Sequence, residues 1–591
     1  MYQYTDFDRQ FVRQRAAQYR DQLGRFLDGT LSGDEFLPLR LQNGWYVQRY
    51  APMLRVAVPY GELSSAQLRV LAQIARDYDQ PSAEVYQTAV STQATFGTKT
   101  MPTGYGHFTT RQNVQFNWIP LDKSADVMDL LATVNLHGIQ TSGNCIRNVT
   151  SDERAGIATD EAVDPRPFCE ILRQWSTLHP EYAFLPRKFK VAVSGAQEDR
   201  AATRWHDVGL KLLRNEAGEI GSKVMVGGGM GRTPMIASTF REFLPWQEIL
   251  NYLEAVVRVY NRWGRRDNKY KARIKILVKA EGERYIDEVE TEYREIVQID
   301  GGVHTLTQAE LDRVSACFVP PALAASAPEA IKTVAEADQA EYARWLQQNV
   351  ADHKNPALRA VTLSFKRLGQ APGDATASQL AIAADLADQF SAGELRVTHD
   401  QNLVLPWVAA EQLPALWHAA RDAGFAKANI RLLTDMIACP GGDFCALANA
   451  RSIPIAEAIT ERYQDLDELH DIGEVDLHIS GCINSCGHHH SGHIGILGVD
   501  KDGREWYQVS LGGSDGSSLS GPAQPGKVVG PSFALDEVPD VIEALLDTYR
   551  DQRQDGETFI ATLRRTGLEP FKLAANSVRQ VAPAHALAET V

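Results

Sequence analysis

The sequence predicts an α+β protein in which two related halves pack around a shared site. Three observations predict it. Four segments recur in the same order in both halves of the chain. Strand-like and helix-like stretches mix without the regular alternation of a parallel βαβ sheet. An Ala- and Pro-rich stretch, PPALAASAPEAIKTVAEADQAEYARW, begins at Pro320 and places the boundary between the halves near 320–355. At 591 residues the chain is also too long for a single core.

The repeat is legible segment by segment. SSAQLRVLAQIARDY (64–78) and TASQLAIAADLADQF (376–390) both read as amphipathic helices. RQNVQFNW (111–118) and DQNLVLPW (400–407) alternate like strands, and Gln112, Asn113 and Trp118 recur as Gln401, Asn402 and Trp407. KVAVSGA (190–196) is repeated by DLHISGC (476–482), and VMVGGGMG (224–231) by QVSLGGSDG (508–516). The separation of the copies is 312 residues, then 289, 286 and 285. It is nearly constant after one insertion, which falls around 82–104 and reads as a loop. Residues 1–40 read as a helical arm, 321–354 as a linker and 576–591 as a loose tail.

Composition excludes several classes. Hydrophobic content of 44% and charged content of 23% are those of an ordinary globular protein. There is no run of 18 apolar residues, so no membrane partner is expected. The polar N-terminus lacks the apolar core of a signal peptide, and a cytoplasmic location is expected. A net charge of −15 argues against nucleic acid as a partner.

Seven cysteines in a chain of this length do not read as a disulfide framework. Four of them crowd together as Cys439-x5-Cys445 and Cys482-x3-Cys486. Four thiolates suit an iron–sulfur cubane, and Gly441, Gly442, Gly481 and Gly487 would let backbone N–H groups approach its sulfurs. A structural zinc site is the alternative. The x5 spacing fits it poorly, but His488, His489, His490 and His493 keep it open. Cys145, Cys169 and Cys317 carry no pattern and read as packing residues.

Basic residues gather locally in this acidic chain. Arg55, Arg111 and Lys190 interrupt strand-like apolar runs, where a buried charge needs a partner. Arg147 follows Cys145, Lys188 precedes Lys190, and RWGRRDNKYKARIK (262–275) carries seven basic residues against one acid. Any one of these, taken alone, is more often a solvated surface charge. The glycine run VGGGMGRTP lacks the spacing of a dinucleotide fingerprint, and there is no P-loop, so neither NADPH nor flavin is expected on this chain.

ACPGGDFCALANA followed by SGCINSCGHH resembles the cluster signature of the siroheme-containing sulfite and nitrite reductases, and the resemblance extends over roughly residues 40–570. It implies ferredoxin-like half-domains at 41–144 and 355–430. It also implies siroheme- and Fe–S-binding domains at 145–320 and 431–575, with the halves related by a pseudo-twofold axis. Cys439, Cys445, Cys482 and Cys486 would then hold a [4Fe–4S] cluster, and Cys486 would bridge it to siroheme. Arg55, Arg147, Lys188 and Lys190 match the basic residues that line the anion pocket on the open face of siroheme. Arg111, Gln112, Asn113, Gln401, Asn402 and Asn484 match positions around the macrocycle. Lys271 and Arg273 would hold its carboxylates, and Gly227, Gly228 and Gly229 would permit close approach.

The sulfite enzymes of that family carry two lysines where nitrite enzymes typically carry Lys then Asn, so LPRKFK implies sulfite as substrate. The activity implied is six-electron reduction of sulfite to sulfide, with a flavoprotein subunit or a ferredoxin as electron donor. Two alternatives stay open: an assimilatory nitrite reductase of the same family, and a non-catalytic protein stabilised by zinc or Fe–S.

Overall fold

The computed structural model describes residues 1–95, 100–322 and 334–580. Residues 96–99, 323–333 and 581–591, which fall in the expected insertion, linker and tail, lie outside them. The N-terminal stretch forms helices Asp6–Leu27 and Gly33–Gln42. Each opens with a reciprocal cap, Thr5 with Asp8 and Ser32 with Glu35, which satisfies backbone donors the first turn would leave free.

The two halves are interlocked by exchanged strands. One five-stranded sheet takes Trp45–Val47, Pro52–Val56, Val114–Phe116 and Tyr105–Phe108 from the first half, then closes with Asp374–Thr376 from the second. Its counterpart takes Val350–Asp352, Leu358–Leu363, Leu403–Ala409 and Glu394–Val397, then closes with Glu62–Ser64 from the first half. Each exchanged strand runs directly into a helix, Ser65–Asp77 or Ala377–Phe390, and the two helices pack on each other. Both start with the same Ser/Thr–x–x–Gln capping box, Ser64 with Gln67 and Thr376 with Gln379. One hydrophobic core therefore runs through both halves, joining Leu54, Leu68 and Phe116 to Leu380, Leu395 and Leu405.

This exchange makes the helix pair a single stability element. Leu380 is fully buried in that shared core. Leu380→Ala is expected to cost about 2–5 kcal/mol, because the interlocked strands cannot collapse into the cavity. Calorimetry should show a lowered melting temperature.

Two further sheets carry the motifs. In the first, Thr150–Ser151, Val191–Ser194 and Val208–Arg214 run parallel, and Ile220–Val226 and Ser238–Pro245 return antiparallel. In the second, Ile437–Ala438, Leu477–Ser480 and Ile494–Lys501 run parallel, followed antiparallel by Arg504–Leu511 and Lys527–Val528. Each has its own apolar core. Helix and sheet mix as predicted, and the duplication holds through every layer.

The insertion at 82–104 is not simply a loop. It contains the helix Ala83–Ala94, N-capped by Ser82. EVYQTAVSTQA has little amphipathic rhythm, which hid it from the sequence. Tertiary packing of Val85, Tyr86 and Ala89 with Trp118 and Phe444 replaces that rhythm.

Candidate functional site

The site lies where the two hairpin turns meet the parallel strands. Each turn is held by a glutamine in the left-handed region, Gln112 at φ 56° and Gln401 at φ 62°. Gln112 accepts from Ser151 N at 3.0 Å and donates to Val397 O at 3.0 Å. Gln401 accepts from Ala438 N at 3.0 Å and donates to Phe108 O at 2.9 Å. Each glutamine thus ties its own turn to the next sheet and to the opposite half. Asn113 receives Asn148 Nδ2 at 2.9 Å, and Asn402 donates to Asp435 at 2.8 Å. These four amides, expected around a macrocycle, are engaged with the protein as struts.

The basic residues converge. Arg55 and Arg147 both donate to Thr141 O, at 3.3 and 2.7 Å. Arg147 also donates twice to Gly143 O, at 3.0 and 2.7 Å. Arg55 reaches Gln115 Oε1 at 3.0 Å and lies over the Tyr46 ring. Arg111 is fixed by Asn148 O at 2.6 Å and Thr150 Oγ1 at 3.1 Å. These guanidinium groups are oriented by carbonyl, amide and hydroxyl oxygens, so their charge is not cancelled.

Lys188 and Lys190 differ: among the described residues neither ammonium has a hydrogen bond or ion pair. Burial brings Lys188 down to about 8, with the charge of Cys486 opposing that shift and Arg147 adding to it. Burial, then Arg111 and Lys188, hold Lys190 well below the usual lysine range. Two ammonium groups that repel each other and lack partners form a site prepared for an anion.

Cys486 faces the same space. Burial pushes the thiols of Cys439 and Cys482 up to about 12 and about 11 and also raises Cys445; Cys486 raises all three further. Cys486 therefore neighbours each of the other three, Cys445 also neighbours Cys482, and Cys486 bears on both lysines. Gly481 N donates to Cys439 Sγ at 3.3 Å, and Asn484 Nδ2 reaches Cys482 Sγ at 3.5 Å. No three His, Cys, Asp or Glu side chains among the described residues gather on a single-ion position. The histidines that kept zinc open turn elsewhere, with His490 Nε2 against Gly231 O at 3.0 Å and His493 Nε2 against Ser520 Oγ at 2.9 Å. Cys169 is a core residue, and Cys317 packs at the edge of the same core.

A family model described as "Nitrite and sulphite reductase 4Fe-4S domain" matches residues 142–296 and 431–580, and its "Nitrite/Sulfite reductase ferredoxin-like half domain" partner matches 47–85 and 362–423. The chain belongs to the nitrite and sulphite reductase family.

Relatives in this family carry both activities in their names. "Sulfite reductase [ferredoxin] 1" of Mycolicibacterium paratuberculosis is 27% identical, covering 92% of this chain and 86% of its own. "Assimilatory ferredoxin-dependent nitrite reductase" of Haloferax mediterranei is 28% identical, covering 91% and 88%. The solved structure of Mycobacterium tuberculosis NirA has the same fold, with a TM-score of 0.69 at 24% identity over 92% of each chain. No helix among the described residues is long and apolar enough to cross a membrane.

The remaining expected residues divide. Arg273 makes a bidentate ion pair with buried Asp207, at 2.7 and 2.8 Å, on the wall of the basic group. Lys271 is exposed on the preceding loop. Lys275, the buried last residue of the basic run, instead donates to Gly229 O, Met230 O and Thr233 O at 3.2, 2.7 and 2.6 Å. It draws the glycine loop inward. At Gly229, φ is +150° and a Cβ would stand 2.8 Å from Arg273 Nη2. Gly228 is pressed on Arg204 O and His206 O, and a Cβ at Gly227 would meet Val278.

Two further residues complete the site. Thr110 Oγ1 donates to Cys486 O at 2.9 Å, fixing the backbone of the candidate bridging ligand. Tyr46 OH donates to Thr141 O at 3.2 Å, beside both arginines. Thr110 could have been found from its place beside Arg111 in the repeated turn; Tyr46 left no signal in the sequence.

Proposed function

We propose that the chain is an assimilatory sulfite reductase hemoprotein that reduces sulfite to sulfide with six electrons. The observation that carries this reading is the pair of unpartnered ammonium groups, Lys188 and Lys190, facing Cys486. The residues present fit both cofactors of the family. Four neighbouring thiols with an N–H donor suit a [4Fe–4S] cluster, and Arg55, Arg111 and Arg147 suit a polycarboxylate macrocycle with an anion on its open face. Siroheme and the cluster, when bound, would supply the redox chemistry and deliver electrons singly.

The chain's own groups bind, orient and protonate. Arg55 and Arg147, fixed on Thr141 O, direct their remaining N–H groups at the anion's oxygens. Lys188 and Lys190 add charge and hold the protons at Nζ that departing oxygens require. The bound dianion raises the affinity of both amines for those protons, so substrate binding itself loads the proton donors. The electron donor proposed is a ferredoxin, because the relatives above are named for it.

Composition and turnover test the reading together. The purified protein is expected to hold roughly five irons and four acid-labile sulfides per chain, with the intense Soret absorbance of a tetrapyrrole. With one artificial reductant, kcat/KM for sulfite should exceed that for nitrite. Stoichiometric zinc without a Soret band would sink the cofactor assignment, and a preference for nitrite would replace the substrate.

A further inference from the structure

The duplication creates a second face equivalent to the basic one, and the equivalence can be read from matched hydrogen bonds. Arg111 N and Asn113 N both donate to Thr109 Oγ1, as Asp400 N and Asn402 N do to Thr398 Oγ1. Arg111 therefore corresponds to Asp400. Lys190 N donates to Asp207 and Lys190 O accepts from Val208 N, as Asp476 N pairs with His493 and Asp476 O accepts from Ile494 N. Lys190 therefore corresponds to Asp476. Phe189 N donates to Cys145 O as Val475 N does to Arg431 O, which makes Glu474 the counterpart of Lys188.

The same register runs through the cysteines. Strand pairing aligns Ser151 with Ala438 and Val193 with Ile479, so Cys439, Cys482 and Cys486 correspond to Asp152, Ala196 and Arg200. Where one copy gathers thiols, the other has Arg200 paired with Asp152 at 2.8 Å and Asp160 at 2.9 Å. An ion network stands in the place of the candidate cluster.

We propose that this charge inversion confines the anionic macrocycle to one of two equivalent faces, with Asp400 and Asp476 as the residues that refuse it on the other. The proposal rests on the siroheme reading of the first face. Siroheme carries eight carboxyl groups, so exchanging Arg and Lys for Asp turns attraction into repulsion at the positions that would grip it. The mirror face is already crowded with negative charge. Asp435, Glu153 and Asp476 all stand close enough to act on Asp400, and of these neighbours only Lys366 carries the opposite charge. Two of the nearby cations are committed: Lys366 lies 3.9 Å from Asp435 and donates to two carbonyls, and Arg431 lies 3.5 Å from Glu474. With Arg200 in place of Cys486, the mirror face also offers no thiolate to a macrocyclic iron.

Uroporphyrin I, an iron-free octacarboxylate, is the probe, titrated into purified holoenzyme and followed by its fluorescence. The variant is Asp400→Arg/Asp476→Lys. It is expected to bind one equivalent more than wild type, at least tenfold tighter than any residual wild-type binding to that face. Sulfite turnover should be unchanged. A variant that melts like wild type and binds no extra equivalent overturns the proposal, as does wild type that already binds it equally tightly. If the double variant melts lower, Asp400→Asn/Asp476→Asn decides. It should gain the extra equivalent more weakly, and no gain overturns the proposal. A purified wild type without a Soret band would count against siroheme on the first face, and the difference between variant and wild type is read separately.

Discussion

Cys486→Ser is expected to abolish sulfite reduction, lowering turnover by more than about a hundredfold, because on the function proposed above it would remove a ligand shared by two redox centres rather than one contact near them. The position of Cys486 supports that proposed role. It is the one cluster cysteine that bears both on the other three and on Lys188 and Lys190. Its backbone is pinned by Thr110 from the opposite half. A serine hydroxyl is a harder, less acidic ligand and would not carry electrons between a cubane and a macrocyclic iron. The variant should also lose the spectroscopic coupling between the two centres, measured by Mössbauer or electron paramagnetic resonance. Cys317→Ser is the control. Cys317 packs at the edge of an apolar core and its thiol donates to Arg313 O, so neither turnover nor coupling should change. Equal, mild effects of the two substitutions would refute the bridge.

Much of this site is legible in the sequence because it is built from residues that leave strong local patterns. Paired cysteines beside glycine, and a charge interrupting an apolar strand, have few bland explanations. The duplication is legible because helices and turns repeat at near-constant separation. The strand exchange is not. Asp374–Thr376 and Glu62–Ser64 are three residues each, too short for alternation to register, and their partners lie in the other half. Such pairing is decided by the helices that follow, whose apolar faces must meet.

The four amides show a different limit. Gln112 and Gln401 recur in both copies, and recurrence marks them without giving their role. A side chain that satisfies backbone groups of three segments leaves the same trace in a sequence as one that grips a ligand. Lys275 makes the same point, since nothing in RWGRRDNKYKARIK distinguishes a lysine buried on three carbonyls from exposed Lys271. Burial of a charge is a property of the fold around it.

Lys190→Asn is expected to lower kcat/KM for sulfite by at least tenfold, a loss of about 1.4 kcal/mol in transition-state stabilisation. Charge decides the direction. Unit charges about 4 Å apart near a protein surface attract by about 4 kcal/mol, and a dianion doubles that term relative to a monoanion. Sulfite reaches its dianionic form as pH rises through neutrality and presents three oxygens; nitrite stays a monoanion with two. Removing one ammonium therefore costs sulfite more than nitrite, and an amide still donates hydrogen bonds to the smaller ion. Lys190 is suited to show this because no hydrogen bond or ion pair among the described residues competes for its ammonium. Arg55, Arg147 and Lys188 remain in place, so the measured fall is smaller than the bare Coulomb term. Nitrite turnover should fall less than sulfite turnover, or rise. The measurement is steady-state kinetics of both substrates with a single artificial electron donor, on wild type and variant side by side. A substitution that harms nitrite more than sulfite would mean that the second ammonium is not what selects the dianion, and the assignment of sulfite as substrate would fall with it.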